Sequence, residues 1–216
     1  MTRYLILLLI FVGCMFSGVK AQSTSDTAQV NREFFNIEEA LRSPENVFRL
    51  NLSNQSITFS DSIWSKFSNL QYLSLRNDHL KQIPSGIGNL KNLKTLDLSG
   101  NDFKTLPSNF KNLINLEELY LNDDKYFQLQ KNIILLSELP NLRSLHLEND
   151  GLKTLPKSID KLYQLESLFL NNNQFKHLPT EIKGLKNLKY LDFHDNTLRP
   201  ANQDIHHQNS GLKIRF

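Results

Sequence analysis

Large apolar residues recur along this chain in a fixed order, with a Leu-x-Leu core near the start of six segments and Leu191-Asp-Phe193 in the same place in a seventh. Side chains alternate with a period of two along an extended backbone, so both apolar residues of the core share one side. The pattern therefore predicts one short strand per segment, with the leucines inside and the intervening residues outside. The segments begin at Val47, Leu70, Leu93, Leu116, Leu142, Leu165 and Leu188, every 23 residues except for 26 between the fourth and fifth.

The second half of most segments carries an aliphatic-proline step followed by further apolar positions, at Ile83-Pro84, Leu106-Pro107, Leu155-Pro156 and Leu178-Pro179. The two halves together resemble the leucine-rich repeat, in the subclass that reads L-x-x-L-x-L-x-x-N-x-L followed by L-x-x-L-P-x-x-I-x-x-L. The resemblance covers about residues 47–198. It implies an α/β leucine-rich-repeat solenoid, a curved right-handed coil with a parallel sheet on the concave face and helical or irregular turns on the convex face.

The resemblance also implies a role for one polar position after each strand, where an asparagine side chain satisfies backbone groups of the neighbouring turn. An ionised aspartate can accept hydrogen bonds but not donate them, so we expect the turns that carry aspartate to be less well satisfied. The position is occupied in turn by Gln55, Asp78, Asn101, Asp124, Asp150, Asn173 and Asn196.

Both ends of a repeat array need caps, because each repeat buries its apolar face only against its neighbours. Residues 22–46 are predicted to be a disordered start followed by an N-terminal cap helix from about Ile37 to Arg42. Asn36 and Glu39 form a capping-box-like pair there, and Pro44 ends the helix. Residues 199–216 are predicted to be a C-terminal cap, in which the alternating segment 212–216 forms a final strand over the exposed sheet edge.

The fourth repeat differs from the others, because it has three extra residues and no aliphatic-proline step between Asp124 and Leu136. The preferred interpretation is a longer helical turn on the convex side, since insertions in repeats map to loops. The alternative is a partner-binding bulge around Lys125, Tyr126 and Phe127.

Residues 1–21 are typical of a secretory signal peptide. Arg3 is followed by a short apolar run from Leu5 to Val12 and by small residues that favour cleavage after Ala21. The run is shorter than the roughly 20 residues of a membrane span, which makes an uncleaved anchor the weaker alternative and predicts no transmembrane span. Phe11-Val-Gly-Cys14 also resembles a bacterial lipobox, so a lipid anchor at Cys14 is a second alternative. The protein is accordingly expected to be exported, either secreted or in the periplasm or at the cell surface.

The cysteine content and the net charge argue against cysteine chemistry and against a nucleic-acid ligand. Cys14 is the only cysteine, so a mature chain without the signal has no disulfide, thiolate nucleophile or cysteine metal site. Removing Arg3 and Lys20 with the signal leaves 23 basic and 22 acidic residues, a net charge of +1. This near-neutral balance is not typical of a nucleic-acid-binding protein, and we expect no nucleic-acid ligand.

The outward positions of the predicted strands form three rows on the concave face, and Tyr120, His146 and Phe169 are consecutive in the middle row. Adjacent strands lie about 4.8 Å apart, which predicts one exposed aromatic ladder. Such rings are typical interface anchors, but they can instead stack as cross-strand pairs that stabilise the sheet. The predicted partner-binding residues are Tyr72, Arg76, Tyr120, His146, Glu148, Phe169, Tyr190 and His194.

Catalysis is not expected. His146 with Glu148, and Asp192 with His194, are the two candidate pairs for a general base or for metal ligands. They lie two repeats apart on a surface without a cleft, whereas catalysis needs a dry, preorganised pocket. We therefore predict a non-enzymatic protein without cofactor or metal, a monomer that binds a protein partner. The alternatives are a glycan-binding surface protein and a structural or spacer component of the cell envelope.

Overall fold

The computed structural model describes residues 32–56, 60–198 and 211–216. The predicted signal peptide, the alternative lipid anchor at Cys14 and the predicted disordered start before residue 32 all lie outside the described residues. None of the helices in the described ranges is long and apolar enough to cross a bilayer.

In the described ranges nine parallel strands form one sheet, in which every strand pairs with its neighbours in chain order. The predicted register is confirmed, since equivalent repeat positions lie opposite one another: Arg49 pairs with Tyr72, Tyr72 with Thr95, and so on to Lys213. The strands are β1 (Glu33–Phe34), β2 (Arg49–Asn51), β3 (Tyr72–Ser74), β4 (Thr95–Asp97), β5 (Glu118–Tyr120), β6 (Ser144–His146), β7 (Ser167–Phe169), β8 (Tyr190–Asp192) and β9 (Lys213–Arg215).

The solenoid interior is filled by the leucines that the repeat pattern placed there. The central residue of each three-residue strand from β2 to β8, such as Leu119 or Leu145, has no exposed surface. Burial of one such side chain contributes roughly 1.5 to 3 kcal/mol. On the convex side Trp64, Ile87 and Phe110 occupy one repeat position and are buried as well.

The convex turns are mostly short 3-10 helices, and four of them follow the prolines of the aliphatic-proline steps. A proline suits the residue before a helical turn, because its φ angle is already restricted and it has no N–H to satisfy. These helices span Pro44–Asn46, Asp61–Lys66, Ser85–Asn89, Ser108–Asn112, Lys157–Lys161 and Thr180–Gly184.

In each turn that follows strands β2 to β8, the residue immediately before the asparagine-type position has a positive φ angle, and in three turns the residue after that position, Ser56, His79 or Gly151, has one as well. Only glycine, asparagine and aspartate adopt this left-handed conformation readily, and every repeat has one of them there. Gly100, with φ of 72°, also lies close to Asn77, so that a β carbon would meet the Asn77 side chain. This positional rule was not part of the sequence prediction. The residues are Asn54, Asn77, Gly100, Asp123, Asn149, Asn172 and Asp195.

The asparagine-type position behaves as predicted. The Asn101 amide donates to the carbonyls of Leu75 and Leu98 at 2.8 and 2.6 Å and accepts from the backbone N–H of Asp78 at 3.2 Å. The aspartates at this position also accept a backbone N–H with Oδ1. Their Oδ2 atoms are buried and have no hydrogen-bond partner in the described part of the chain, in Asp78, Asp124 and Asp150.

A second ladder of amide side chains runs along the opposite side of the coil, and sequence reasoning missed it. From the second repeat onward, the side chain directly before the first leucine donates to a backbone carbonyl of the preceding coil, as Asn92 does to Ser68 and Asn115 to Lys91, both at 2.8 Å. The signal was visible as an amide residue at that position in all seven repeats, although Asn46 in the first repeat donates to the neighbouring Glu45 side chain instead. The other six are Asn69, Asn92, Asn115, Asn141, Gln164 and Asn187.

The N-terminal cap contains helix α1 (Ile37–Ala40), which ends before the predicted Arg42, at the C-cap Leu41. The side chain of its N-cap Asn36 accepts from the Glu39 N–H at 3.0 Å, as the capping pair predicted. Strand β1, which precedes α1 and covers the edge of β2, was not predicted. The predicted final strand is confirmed as β9.

The insertion in the fourth repeat forms helix α2 (Leu129–Ser137), as the preferred interpretation predicted. Its buried face includes Leu129, Ile133 and Leu136 together with one amide, Asn132. The Asn132 side chain accepts from the Leu106 N–H at 2.8 Å and donates to the Lys104 carbonyl at 3.2 Å and the Gln128 carbonyl at 2.9 Å. This buried amide fastens the longer helix to the third repeat.

Candidate functional site

Tyr120, His146 and Phe169 are the last residues of β5, β6 and β7, and they lie in register on the outer face of the sheet. Their rings form the predicted ladder. The centroids of Tyr120 and His146 are 3.9 Å apart and those of His146 and Phe169 are 4.0 Å apart, with interplanar angles of 19° and 6°. Tyr190 on β8 continues the series, with its ring tilted and its centroid 5.5 Å from that of Phe169.

The prediction that this ladder is exposed is wrong for His146, of which only 6% is accessible to solvent. Tyr120 and Phe169 are half-buried. The physical reason is that flat side chains on parallel strands about 4.8 Å apart can turn face to face and exclude water from between them. The ladder therefore presents ring edges to the solvent, because the facing surfaces are used in stacking.

Two carboxylates hold the His146 ring from either side. Its Nε2 atom lies 3.2 Å from Glu118 Oε1, and its Nδ1 atom lies 3.4 Å from Glu148 Oε1. Burial lowers the pKa of His146, but the hydrogen bonds with Glu118 and Glu148 outweigh it, so the net pKa is raised. The same hydrogen bond lowers the pKa of Glu118. The arrangement favours an imidazolium ring between two aromatic rings and two carboxylates.

The remaining predicted partner-binding residues are each engaged on the same face. The Arg49 guanidinium lies over the Tyr72 ring at 4.1 Å, and Arg76 pairs with Asp123 at 3.8 Å. These contacts leave Tyr72 half-buried and Arg76 exposed, close to the N-terminal end of the sheet.

At the C-terminal end, Asp192 is the centre of a second polar cluster. Its carboxylate accepts a hydrogen bond from the Tyr190 hydroxyl at 3.2 Å, contacts His194, and lies 3.4 Å from Arg215. Burial raises the pKa of Asp192, but the hydrogen bonds from His194 and Tyr190 lower it below its usual range. Arg215 was not among the predicted site residues, because only the pairing of β9 brings it next to Asp192.

The pair of His146 with Glu148 does not form an open reactive centre. His146 is covered on both ring faces, and both of its nitrogens have carboxylate partners. Within the described ranges no group of three or more histidine, cysteine, aspartate or glutamate side chains is arranged to hold a metal ion.

The concave face has a definite charge distribution. Carboxylates lie in its middle, at Asp97, Glu118 and Glu148, whereas towards its two ends Arg49 lies 3.9 Å from Glu33 and Arg215 lies 3.4 Å from Asp192.

Comparisons with known proteins agree with this architecture. A model described as a leucine-rich repeat region matches residues 46–140, and a second leucine-rich repeat model matches residues 137–199. A search of curated protein sequences gives no match.

Among solved structures, the Drosophila Toll–Spatzle complex is similar with a TM-score of 0.70 and 18% identity over 84% of this chain and 24% of that one. A leucine-rich repeat protein of Leptospira interrogans has a TM-score of 0.53 and 28% identity over 86% of this chain and 58% of that one. TLR13 in complex with ssRNA13 has a TM-score of 0.67 and 28% identity over 85% of this chain and 26% of that one.

The chain spans about a quarter of the two receptors and less than two thirds of the Leptospira protein. The structure with ssRNA13 shows that a similar solenoid was solved with a nucleic acid, so the expectation of no nucleic-acid ligand has no support from the comparisons. Because the two repeat models together span residues 46–199 and the strands stack with the same register throughout, the chain belongs to the leucine-rich repeat proteins.

Proposed function

We propose that this protein is an exported protein-binding module that recognises its partner through the concave face. Leucine-rich repeats commonly serve as interaction modules, and as scaffolds without catalytic activity, because the coil presents an extended curved surface. The observation that carries the proposal is the cluster of Tyr120, His146, Phe169, Glu118 and Glu148. These side chains are held rigidly at the outer face of consecutive strands.

The cluster suits a protein partner better than a small molecule. The face is open, and small ligands prefer sites that enclose most of their surface. A rigid set of ring edges and carboxylates loses little side-chain entropy on binding, which favours affinity for a matching surface. The partner should present lysine or arginine near the centre of its interface, because Asp97, Glu118 and Glu148 make that part of the face negative.

Export is part of the proposal and is supported by residues 1–21 alone. The order of positive charge, apolar run and small residues before Gln22 is that of a cleaved signal. N-terminal sequencing of the protein made in a bacterial host gives Gln22 if cleavage follows Ala21 and a blocked, lipid-modified Cys14 if the lipobox is used. An N-terminus that still carries residues 1–13 contradicts export by either route.

The concave face is tested by capture from the native envelope, followed by titration with the captured protein. Tyr120→Ala and Phe169→Ala are each expected to lower affinity by about 1 to 3 kcal/mol. Tyr163→Ala is the matched control, because this tyrosine is 62% exposed and lies in a turn outside the sheet. Thermal melts separate affinity from folding: Leu145→Ala should cost about 2 to 5 kcal/mol of stability, and the ring truncations much less.

Equal binding by wild type, Tyr120→Ala and Phe169→Ala would contradict recognition through the concave face. It would favour a spacer role in the envelope. If Tyr163→Ala loses binding instead, the interface lies on the turns outside the sheet.

A further inference from the structure

One flank of the solenoid carries a row of lysines that the concave face does not use. Lys81, Lys104, Lys153 and Lys176 occupy the same position in four repeats, three residues after the asparagine-type position, and all four are exposed. In the fourth repeat the equivalent residue is Phe127, but the insertion supplies exposed lysines on either side of it. We refer to these six residues together as the lysine flank: Lys81, Lys104, Lys125, Lys131, Lys153 and Lys176.

The charge of this flank is largely uncompensated. Within the described residues, the lysine ion pairs are made by Lys94, Lys111 and Lys189, none of which belongs to the flank. The neighbouring Asp102 is 3.7 Å from His79. Because the whole chain has a formal net charge of only +3, the flank concentrates positive charge on one side while the middle of the concave face is negative.

An open groove of about 690 Å³ lies at the start of the flank, between the second and third repeats and the insertion. Tyr126 forms one wall and is 58% exposed. Its position is fixed by its neighbours, since the Phe127 ring packs against Phe103 with centroids 5.7 Å apart and the Gln128 N–H donates to the Lys104 carbonyl at 3.0 Å. The groove is lined by Lys81, Gln82, Asp102, Lys104, Thr105 and Tyr126.

We propose that the lysine flank binds an acidic polysaccharide, with one sugar ring against Tyr126 and its carboxylate or sulfate groups along the lysines. The aromatic ring offers an apolar face to a sugar. The amide of Gln82, the hydroxyl of Thr105 and the carboxylate of Asp102 offer hydrogen-bond partners to sugar hydroxyls. This site is separate from the concave face and does not depend on the protein-binding function proposed above.

The residue types favour a polysaccharide over a nucleic acid. Phosphate recognition favours arginine, whose planar group binds two oxygens at once, whereas the repeated position of the flank is lysine in four repeats and arginine in one, at Arg199 beyond the described part of the solenoid. Single-stranded nucleic acids bind along successive aromatic platforms, whereas Tyr126 is the only ring among the residues that line the groove. Lysines one repeat apart act as separate point charges, which suits a polymer whose anionic groups are spaced along a chain.

The experiment measures binding of size-defined heparin fragments to the full chain by calorimetric titration at two salt concentrations. The test variant replaces Lys81, Lys104, Lys153 and Lys176 by glutamine. The matched control replaces four other exposed lysines with the same change in charge: Lys66, Lys161, Lys183 and Lys186. We expect the test variant to lose about tenfold or more in affinity and the control about threefold or less, because only the test variant removes charges that contact the bound fragment, while the control changes the net charge alone.

A second variant separates sugar recognition from charge alone. Tyr126→Ala removes the ring but no charge, so it should weaken heparin several-fold at both salt concentrations, whereas the charge contribution falls as salt rises. Neutral dextran should not bind. Tyr120→Ala should bind heparin like the wild type, which keeps this site distinguishable from the concave face.

Three results would overturn the proposal. The first is equal heparin affinity in the wild type and the test variant. The second is equal loss in the test and control variants, which would indicate net charge only. The third is tighter binding of polyuridylate than of heparin with the same dependence on the four lysines, which would make the flank a nucleic-acid site.

Discussion

At the scale of the residue, the asparagine-type position is the most informative. Asn101 and Asn173 use both atoms of the amide, whereas Asp124 and Asp150 use one oxygen and leave the other buried without a partner in the described ranges. Burial raises the pKa of both aspartates to about 8, with a further contribution to Asp124 from Asp150. A protonated carboxyl has one O–H donor, so in that form these residues imitate asparagine.

These aspartates make stability depend on pH. Their pKa is near 3.9 in the unfolded chain and raised to about 8 in the folded chain, so the folded state binds more protons between these values. The stabilisation is complete below about pH 4 and is lost as pH rises towards 8. Replacing Asp124 and Asp150 together by asparagine should remove this loss, because Nδ2 replaces the protonated oxygen as donor.

The measurement is the free energy of unfolding by urea at pH 6 and pH 8.5. The wild type should lose up to about 1.4 kcal/mol per pH unit for each aspartate relative to the double variant. If the free energy of unfolding changes equally in both proteins between pH 6 and pH 8.5, these carboxyls do not titrate in that range.

At the scale of the element, the insertion shows how a repeat tolerates a change in length. Helix α2 replaces a 3-10 turn, and the buried Asn132 satisfies the Leu106 N–H and two carbonyls in place of the usual turn. The register on either side is unchanged, since Glu118 pairs with Ser144 as equivalent positions do elsewhere. The extra residues therefore lengthen the turn without changing the strand pairing, and Tyr126 in this turn forms one wall of the groove.

Asn132→Ala should destabilise the protein by about 2 to 4 kcal/mol, because it leaves several buried backbone groups without a partner. Asn141→Ala is a suitable comparison, since it removes a single hydrogen bond in an exposed position and should cost about 1 kcal/mol. Denaturant titration of both variants gives the two values. An equal loss of stability would mean that the hydrogen bonds of Asn132, which hold α2 against the third repeat, stabilise the protein no more than one ordinary turn hydrogen bond.

At the scale of the whole molecule, the sheet has two ends, each covered by a short strand. Strand β9 pairs with β8 and accepts the Phe193 N–H at 2.8 Å through the Arg215 carbonyl. Without it β8 would present unpaired backbone groups, which promote edge-to-edge association. The expected monomer depends on this strand.

A chain shortened by residues 211–216 should melt at a lower temperature and should associate at micromolar concentration. Light scattering coupled to gel filtration measures the association. Ile214→Ala is the milder control, because it keeps the strand and removes only part of its packing on the core. A shortened chain that stays monomeric would show that β9 is not needed to protect the edge.

The chain alone was sufficient to determine the repeat, its register, the helix of the N-terminal cap and the final strand. A constant repeat length makes equivalent residues neighbours, so the pairing of Arg49 with Tyr72 and the stacking order of Tyr120, His146 and Phe169 follow from counting. The unpaired oxygens of Asp124 and Asp150 follow as well, from the chemistry of one side chain.

Only the tertiary structure decided how neighbouring side chains are oriented, how far they are buried and which contacts they make. The burial of His146 depends on the orientation of the two rings that stack on it. The hydrogen bonds of Asn132 depend on an insertion that occurs in one repeat, and the position of Arg215 beside Asp192 depends on the pairing of β9. Periodicity states which residues are adjacent, but the orientation and exposure of a side chain are set by packing in three dimensions.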